Sequence, residues 1–256
     1  MRWITAGTLL VVLLVLSASG TAADHKPLHG KIIALDAGHG GTEVGAQYPA
    51  ISGTAAEFFE KDLNLAVVYA LKAKLEVEGG AQVVLTRVVD ETISSRRARV
   101  GIAIEKCKAL AGRKCDALVS VHHNGSTDPA YDGLLVIYNE KQDLPLATAV
   151  HDALRLGLCY PDPSLTTACT STYKYRFVDE GLRNGGYGMT VFGNLVSILT
   201  EAYYITNDWE AAQYRSGTPT NICDSSGNCR QVLQGARTGA EATATYTGLV
   251  NYFSRR

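Results

Sequence analysis

The sequence predicts an α/β domain, with a central, mostly parallel twisted sheet flanked by helices on both faces. Three observations predict it. Short apolar runs alternate with stretches of helical periodicity. The runs are apolar throughout rather than at every second residue, which suits a sheet covered on both sides. Polar residues able to do chemistry stand just after several of these runs, where the carboxyl ends of parallel strands gather at one edge.

Taken in order, the chain of 256 residues opens with a segment that does not belong to the fold. Met1-Arg2 is a basic start, Ile4 to Leu16 is apolar, and Ser17 to Ala23 is a run of small residues. That is the layout of a secretory signal peptide over residues 1–23, cleaved after Ala23. The apolar run is shorter than the ~20 residues that span a bilayer, which argues against the alternative reading, an uncleaved membrane anchor. Residues 24–30 are a short lead, and 31–256 form one domain. The expected location is outside the cytoplasm, in the periplasm or the extracellular space, with no stable membrane insertion after cleavage.

Lys31 to Leu35 reads as a buried strand that runs into the Gly-rich loop Asp36-Ala37-Gly38-His39-Gly40-Gly41. Leu63, Val67, Leu71 and Leu75 mark one face of an amphipathic helix reaching Glu78, stopped by Gly79-Gly80. Val83 to Thr86 is a second strand, and Thr92 to Ala111 is mostly helical. Asp116 to Val121 is a third strand that delivers His122, and Leu134 to Tyr138 is a fourth. Leu144 to Leu156 is a helix. Leu195 to Thr200 is a buried strand that delivers Glu201. Arg230 to Phe253 carries a long, Ala- and Thr-rich terminal helix.

The net charge of −1 gives no basic footprint, which argues against nucleic acid as a partner. The six cysteines form an even set in an apparently exported chain, so disulfides are expected. They fall into close pairs: Cys107 with Cys115, Cys159 with Cys169, and Cys223 with Cys229. Pairing within each local set is expected, pinning surface excursions more than the core. A zinc–thiolate site is the rival, but no CxxC spacing supports it.

Three residues suit a catalytic zinc ion, which needs three protein ligands and one open position. They are His39 in the Gly-rich loop, Glu60 at a helix start and His122 at a strand end. Glu201 is placed to take a proton from water and pass it to a leaving group. Each piece alone has a plain reading. The loop histidine suits a tight turn, and Glu60 suits a helix start favoured by the macrodipole. Glu57 is close enough to rival Glu60 as a ligand, and spacing leaves that choice open. Glu201 resists a plain reading, because a carboxylate after an apolar strand needs a partner.

In order, the stretches DAGHGG, EKDLNLA, VVLTR, SVHHN and TEAYYITN resemble the zinc-dependent N-acetylmuramoyl-L-alanine amidases of bacterial cell walls, from about Lys31 to Glu210. The resemblance implies His39, Glu60 and His122 as zinc ligands and Glu201 as the catalytic carboxylate, and it favours Glu60 over Glu57. It implies cleavage of the amide between N-acetylmuramic acid and the L-alanine of the stem peptide, in peptidoglycan or a muropeptide. A zinc peptidase cutting another peptidoglycan bond and a non-catalytic wall-binding protein are the alternatives. A regulatory protein partner of unknown identity is a further expectation.

The chain departs from the family pattern in places. His123 stands where a small residue is usual; it is either a further polar group in the site or a surface residue, and strand alternation, which turns it away from His122, favours the surface. Ala37 follows Asp36 where Pro is more common, and Ile104 replaces an Asn. Cys159 to Gly186 reads as a polar loop that shapes or covers the peptide groove. Asp36 and Asn124 are expected to orient the ligands.

Overall fold

The structure is a computed structural model and describes residues 26–51, 53–158, 177–185 and 187–255. The expected signal segment and the Cys159/Cys169 pair lie outside the described residues. In chain order the elements are β1 (Ile32–Ala37), β2 (Gln47–Tyr48), β3 (Phe58–Phe59), α1 (Glu60–Val77), β4 (Gln82–Leu85), α2 (Arg96–Ala111), β5 (Ala117–Asn124), β6 (Asp132–Tyr138), α3 (Leu144–Leu158), β7 (Phe177–Asn184), α4 (Gly188–Val191), β8 (Ser197–Tyr204), α5 (Asp208–Arg215), β9 (Thr218–Cys223), β10 (Cys229–Gln234) and α6 (Ala236–Ser254).

Six strands form one sheet in the order β4-β1-β5-β8-β6-β7. β4, β1, β5 and β8 are parallel to one another, β6 runs antiparallel to β8, and β7 is parallel to β6. The expected α/β layer fold is what the chain adopts. Alternation along the strands explains why they are apolar throughout. Ile33, Leu35, Val119 and Val121 pack with α1, α3 and α6 on one face. Ile32, Ala34, Leu118 and Leu199 pack with α2 and Met189 of α4 on the other. The inner strands β1, β5, β8 and β6 therefore bury both side-chain rows over most of their length. Among the described residues no helix is long and apolar enough to cross a membrane.

Four expectations need correction. Phe177 to Asn184, expected within a loop, is the edge strand β7. It was hidden because an edge strand is only half covered, and its few apolar residues are mixed with charged and polar ones, all at least partly exposed. Arg230 to Gln234, expected in the terminal helix, pairs with β9 as a hairpin instead. The turn Asp224 to Asn228 and the Cys223–Cys229 bridge close it, and α6 starts only at Ala236. The Cys107–Cys115 bridge is no surface staple. Both cysteines are buried in the apolar layer under α2, tying its last turn to the start of β5. The Cys223–Cys229 bridge does sit at the exposed hairpin end. Finally, β5 and β8 run past the apolar stretches that announced them, so His122 and Glu201 lie inside strands rather than after them.

Candidate metal centre

β1 delivers the first candidate. Its chain turns sharply at Gly38 and His39, and His39 adopts a left-handed φ of 57°. That conformation costs a non-glycine residue of order 1–3 kcal/mol, and such strain persists only where surroundings enforce it. Two buried arginines supply the enforcement. Arg87, just past β4, donates to the carbonyls of Ala37 (2.8 Å), Gly38 (3.0 Å), Lys61 (2.7 Å) and Val89 (3.0 Å). Burial pulls the Arg87 guanidinium down to about 10. Arg99 of α2 donates to the carbonyls of Ala37 (2.9 Å) and His39 (2.6 Å) and pairs with Asp36 at 3.0 Å. The loop is thus clamped by its carbonyls, which leaves the His39 ring to turn towards Glu60 and His122.

Glu60 opens α1. The helix has no side-chain cap, so a neighbouring loop takes its place. Glu60 N donates to Ala46 O at 2.8 Å, and Ala46 N returns a bond to Glu60 Oε2 at 2.9 Å. Asn64 Nδ2 and the His123 backbone N–H hold Oε1 at 3.2 and 3.1 Å. The rival Glu57 stands apart, in an exposed ion pair with Arg215 at 3.1 Å.

His122 comes from β5, on the same sheet face as Leu118 and α2. The three candidates converge. His39 Nε2 lies 3.1 Å from Glu60 Oε2, and His122 Nδ1 lies 3.1 Å from Glu60 Oε1. One ligand atom from each of the three falls within 4.8 Å of the others. Burial opposes ionisation of Glu60, yet His122 and His39 hold its carboxyl well below the usual range. Tetrahedral zinc with bonds of ~2.0 Å needs donors about 3.3 Å apart, so this set fits a zinc ion. Two glycines keep the space: a Cβ on Gly38 would lie 2.3 Å from the His122 ring, and one on Gly45 2.3 Å from Glu60 Oε2.

Glu201 sits opposite His122 across the β5–β8 pair. Its Oε2 is buried and has no hydrogen-bond partner among the described residues. Burial pushes its carboxyl well above the usual range, and the negative charges of Glu60 and Glu180 add to the effect. The fourth candidate is therefore a carboxyl that tends to hold its proton, facing the same edge as the metal cluster.

Among the residues expected to orient the ligands, Asp36 does so indirectly. It is fully buried and accepts from Thr86, from Ser120 at 2.7 Å and from Arg99 at 3.0 Å, and Arg99 in turn holds His39. Burial alone would raise its carboxyl, but Arg99, Thr86 and Ser120 bring it below the ordinary value. Asn124 contributes its backbone carbonyl, to Ile205 N at 2.9 Å.

His123 overturns its expected surface position. It does point away from His122, but into the interior, where it is 2 % exposed. Its Nδ1 lies 2.7 Å from Asn64 Oδ1 and its Nε2 2.9 Å from Glu241 Oε2 of α6. Asn64 reaches on to Glu60 and to the Gly38 carbonyl. Alternation gives the side of a strand but not what covers it. Sequence reading assigned no role to Arg87, Asn64 or Glu241. Arg87 ends the VVLTR stretch, where a buried strand running into a cation was the available signal.

The comparisons with known proteins identify the family. Residues 33–223 match the family model described as N-acetylmuramoyl-L-alanine amidase. The chain belongs to that family. It is 30 % identical over 141 residues to the germination-specific N-acetylmuramoyl-L-alanine amidase of Bacillus subtilis, covering 52 % of this chain and 56 % of that one. It is 26 % identical over 181 residues to the probable cell wall amidase LytH of Staphylococcus epidermidis, covering 71 % of this chain and 50 % of that one. The chain thus spans about half the length of these two relatives. Among solved structures, the catalytic domain of the amidase CwlV from Bacillus (Paenibacillus) polymyxa shares the fold. It superposes with a TM-score of 0.62 at 22 % identity, covering 88 % of this chain and 99 % of that one.

Proposed function

We propose that this amidase family member holds a zinc ion on His39, Glu60 and His122 and hydrolyses the amide joining N-acetylmuramic acid to the stem-peptide L-alanine. The observation that carries the reading is the convergence of those three side chains beside the unpartnered Glu201 carboxyl. Bound there, zinc would polarise the scissile carbonyl and bring the pKa of a water towards neutrality. Glu201 takes the proton from the attacking water and returns it to the departing alanine nitrogen. A carboxylate with a raised proton affinity suits that exchange, since it is a stronger base towards water than an ordinary one. Glu60 stays ionised, and the Arg87 and Arg99 clamps keep His39 in its strained position.

The disulfides Cys107–Cys115 and Cys223–Cys229 suit an oxidising compartment. We place the enzyme outside the cytoplasm, exported by residues 1–23. The deciding experiment digests defined muropeptides with and without a chelator and identifies products by mass. Release of the intact stem peptide with a free L-alanine amine, abolished by chelator and restored by zinc, is the expected result. Cleavage within the peptide would overturn the bond assignment, and chelator-resistant turnover would overturn the metal.

A further inference from the structure

A cavity of about 750 Å³ opens from the metal cluster along the start of α2. His39 and His122 line one part of it, and Arg96, Arg97, Phe192 and Glu43 line another. The first turn of α2 contains no acidic residue. It carries cations where the helix macrodipole favours anions. Arg99 is accounted for by Asp36 and the loop carbonyls. Arg96 and Arg97 are not accounted for in that way. Both are exposed, and among the described residues neither pairs with a carboxylate.

They are nevertheless held. The Arg96 guanidinium stands 5.5 Å over the Tyr187 ring, and that of Arg97 stands 5.4 Å over Phe192. Gly188 lets α4 approach closely, for a Cβ there would come within 2.8 Å of Arg96 Cβ. An arginine stacked by its face keeps its edge N–H groups free for a planar anion. Placing two such groups against the local dipole breaks a local rule, and such breaks concentrate at functional sites.

We propose that Arg96 and Arg97 form a carboxylate-binding subsite for the stem peptide on the cavity wall beside the metal cluster. The inference rests on the amidase reading. In that substrate the lactyl carboxyl of the sugar is consumed in the scissile amide, so the glycan side is neutral there. The free carboxylates belong to the peptide side. A cationic wall next to the reacting bond therefore recognises the leaving peptide. Paired guanidinium forks bind a carboxylate bidentately and reject its neutral carboxamide analogue. Glu43 is the opposing charge in the cavity, and the two arginines outweigh it.

The test uses two synthetic muropeptides that differ only in having the stem-peptide carboxylates free or converted to carboxamides. The full-length enzyme is expected to show at least a tenfold higher kcat/KM on the free-acid substrate, carried by KM and shrinking with added salt. In R96Q/R97Q, and in each single variant, that ratio falls towards one, with zinc content and melting temperature serving as checks on folding. R96K/R97K recovers part of the ratio, because it restores charge but not the fork. An unchanged ratio in the glutamine variants, or no discrimination by the parent enzyme, overturns the subsite. Failure of the parent enzyme to cleave either substrate overturns the amidase reading, and the subsite with it.

Discussion

His122 and His123 are neighbours on β5, yet they belong to two different regions. His122 faces α2 and lines an open cavity, with Glu60 as its close polar partner. His123 faces α1 and α6, with both ring nitrogens engaged and almost no exposure. One region is built to receive something, and the other is already complete. A single strand separates reactivity from support by nothing more than its two-residue period.

The largest effects belong on the open face. Glu201→Gln should lower turnover by about 10²–10⁴-fold, the usual share of acid–base catalysis, while zinc content by elemental analysis stays at the parent level. Near-parent turnover would remove Glu201 from its role. His122→Ala should lose the zinc but leave the melting curve of the metal-free protein nearly unchanged. A variant that keeps full zinc occupancy would break the comparison at its open end.

The next effect belongs on the closed face. His123→Ala leaves Glu241 buried without its partner and should cost about 3–5 kcal/mol, measured as a shift in the urea midpoint at constant slope. A loss below 1 kcal/mol would show that this face is less committed than its contacts indicate. Asp36 sharpens the contrast further, since it supports the open face from below. Asp36→Asn should cost about 2 kcal/mol at neutral pH. The native carboxyl has a lowered pKa, so its contribution is complete above the ordinary aspartate value of 3.8 and is lost as pH falls through the folded value below it. The stability gap between parent and variant should therefore close on the acid side, and a gap independent of pH would contradict the assigned ion pair. The smallest effect is expected at Glu57→Ala, which removes an exposed pair and should change stability by less than about 0.5 kcal/mol with no loss of zinc. A drop in zinc content there would reopen the choice between Glu57 and Glu60.

The readable parts of the sequence are those whose signal is local. β1, β5 and β8 were visible because both of their rows are apolar. α1 was visible because Leu63, Val67, Leu71 and Leu75 mark one face. β7 was hidden because an edge strand is half exposed, and α5 because its 8 residues are too few for a period to show. β10 was absorbed into the following helical pattern, because its hairpin depends on pairing with β9. At the candidate site, His39, His122 and Glu201 were legible from their places next to apolar runs. Glu60 was not separable from Glu57 without the family resemblance, because the Ala46 backbone that seats it lies in another loop. The destination of His123 was illegible for the same reason: its partner Glu241 is 118 residues away.

That distance has a consequence for how the molecule is made. The strand carrying His122 is anchored from below by a helix that is synthesised long after it. While α6 is still missing, His123 has no acid to meet and Asn64 lacks the fixed imidazole that steadies it against Glu60. The candidate metal cluster thus acquires its final geometry only once α6 is in place, so the site depends on a helix that supplies none of its candidate ligands.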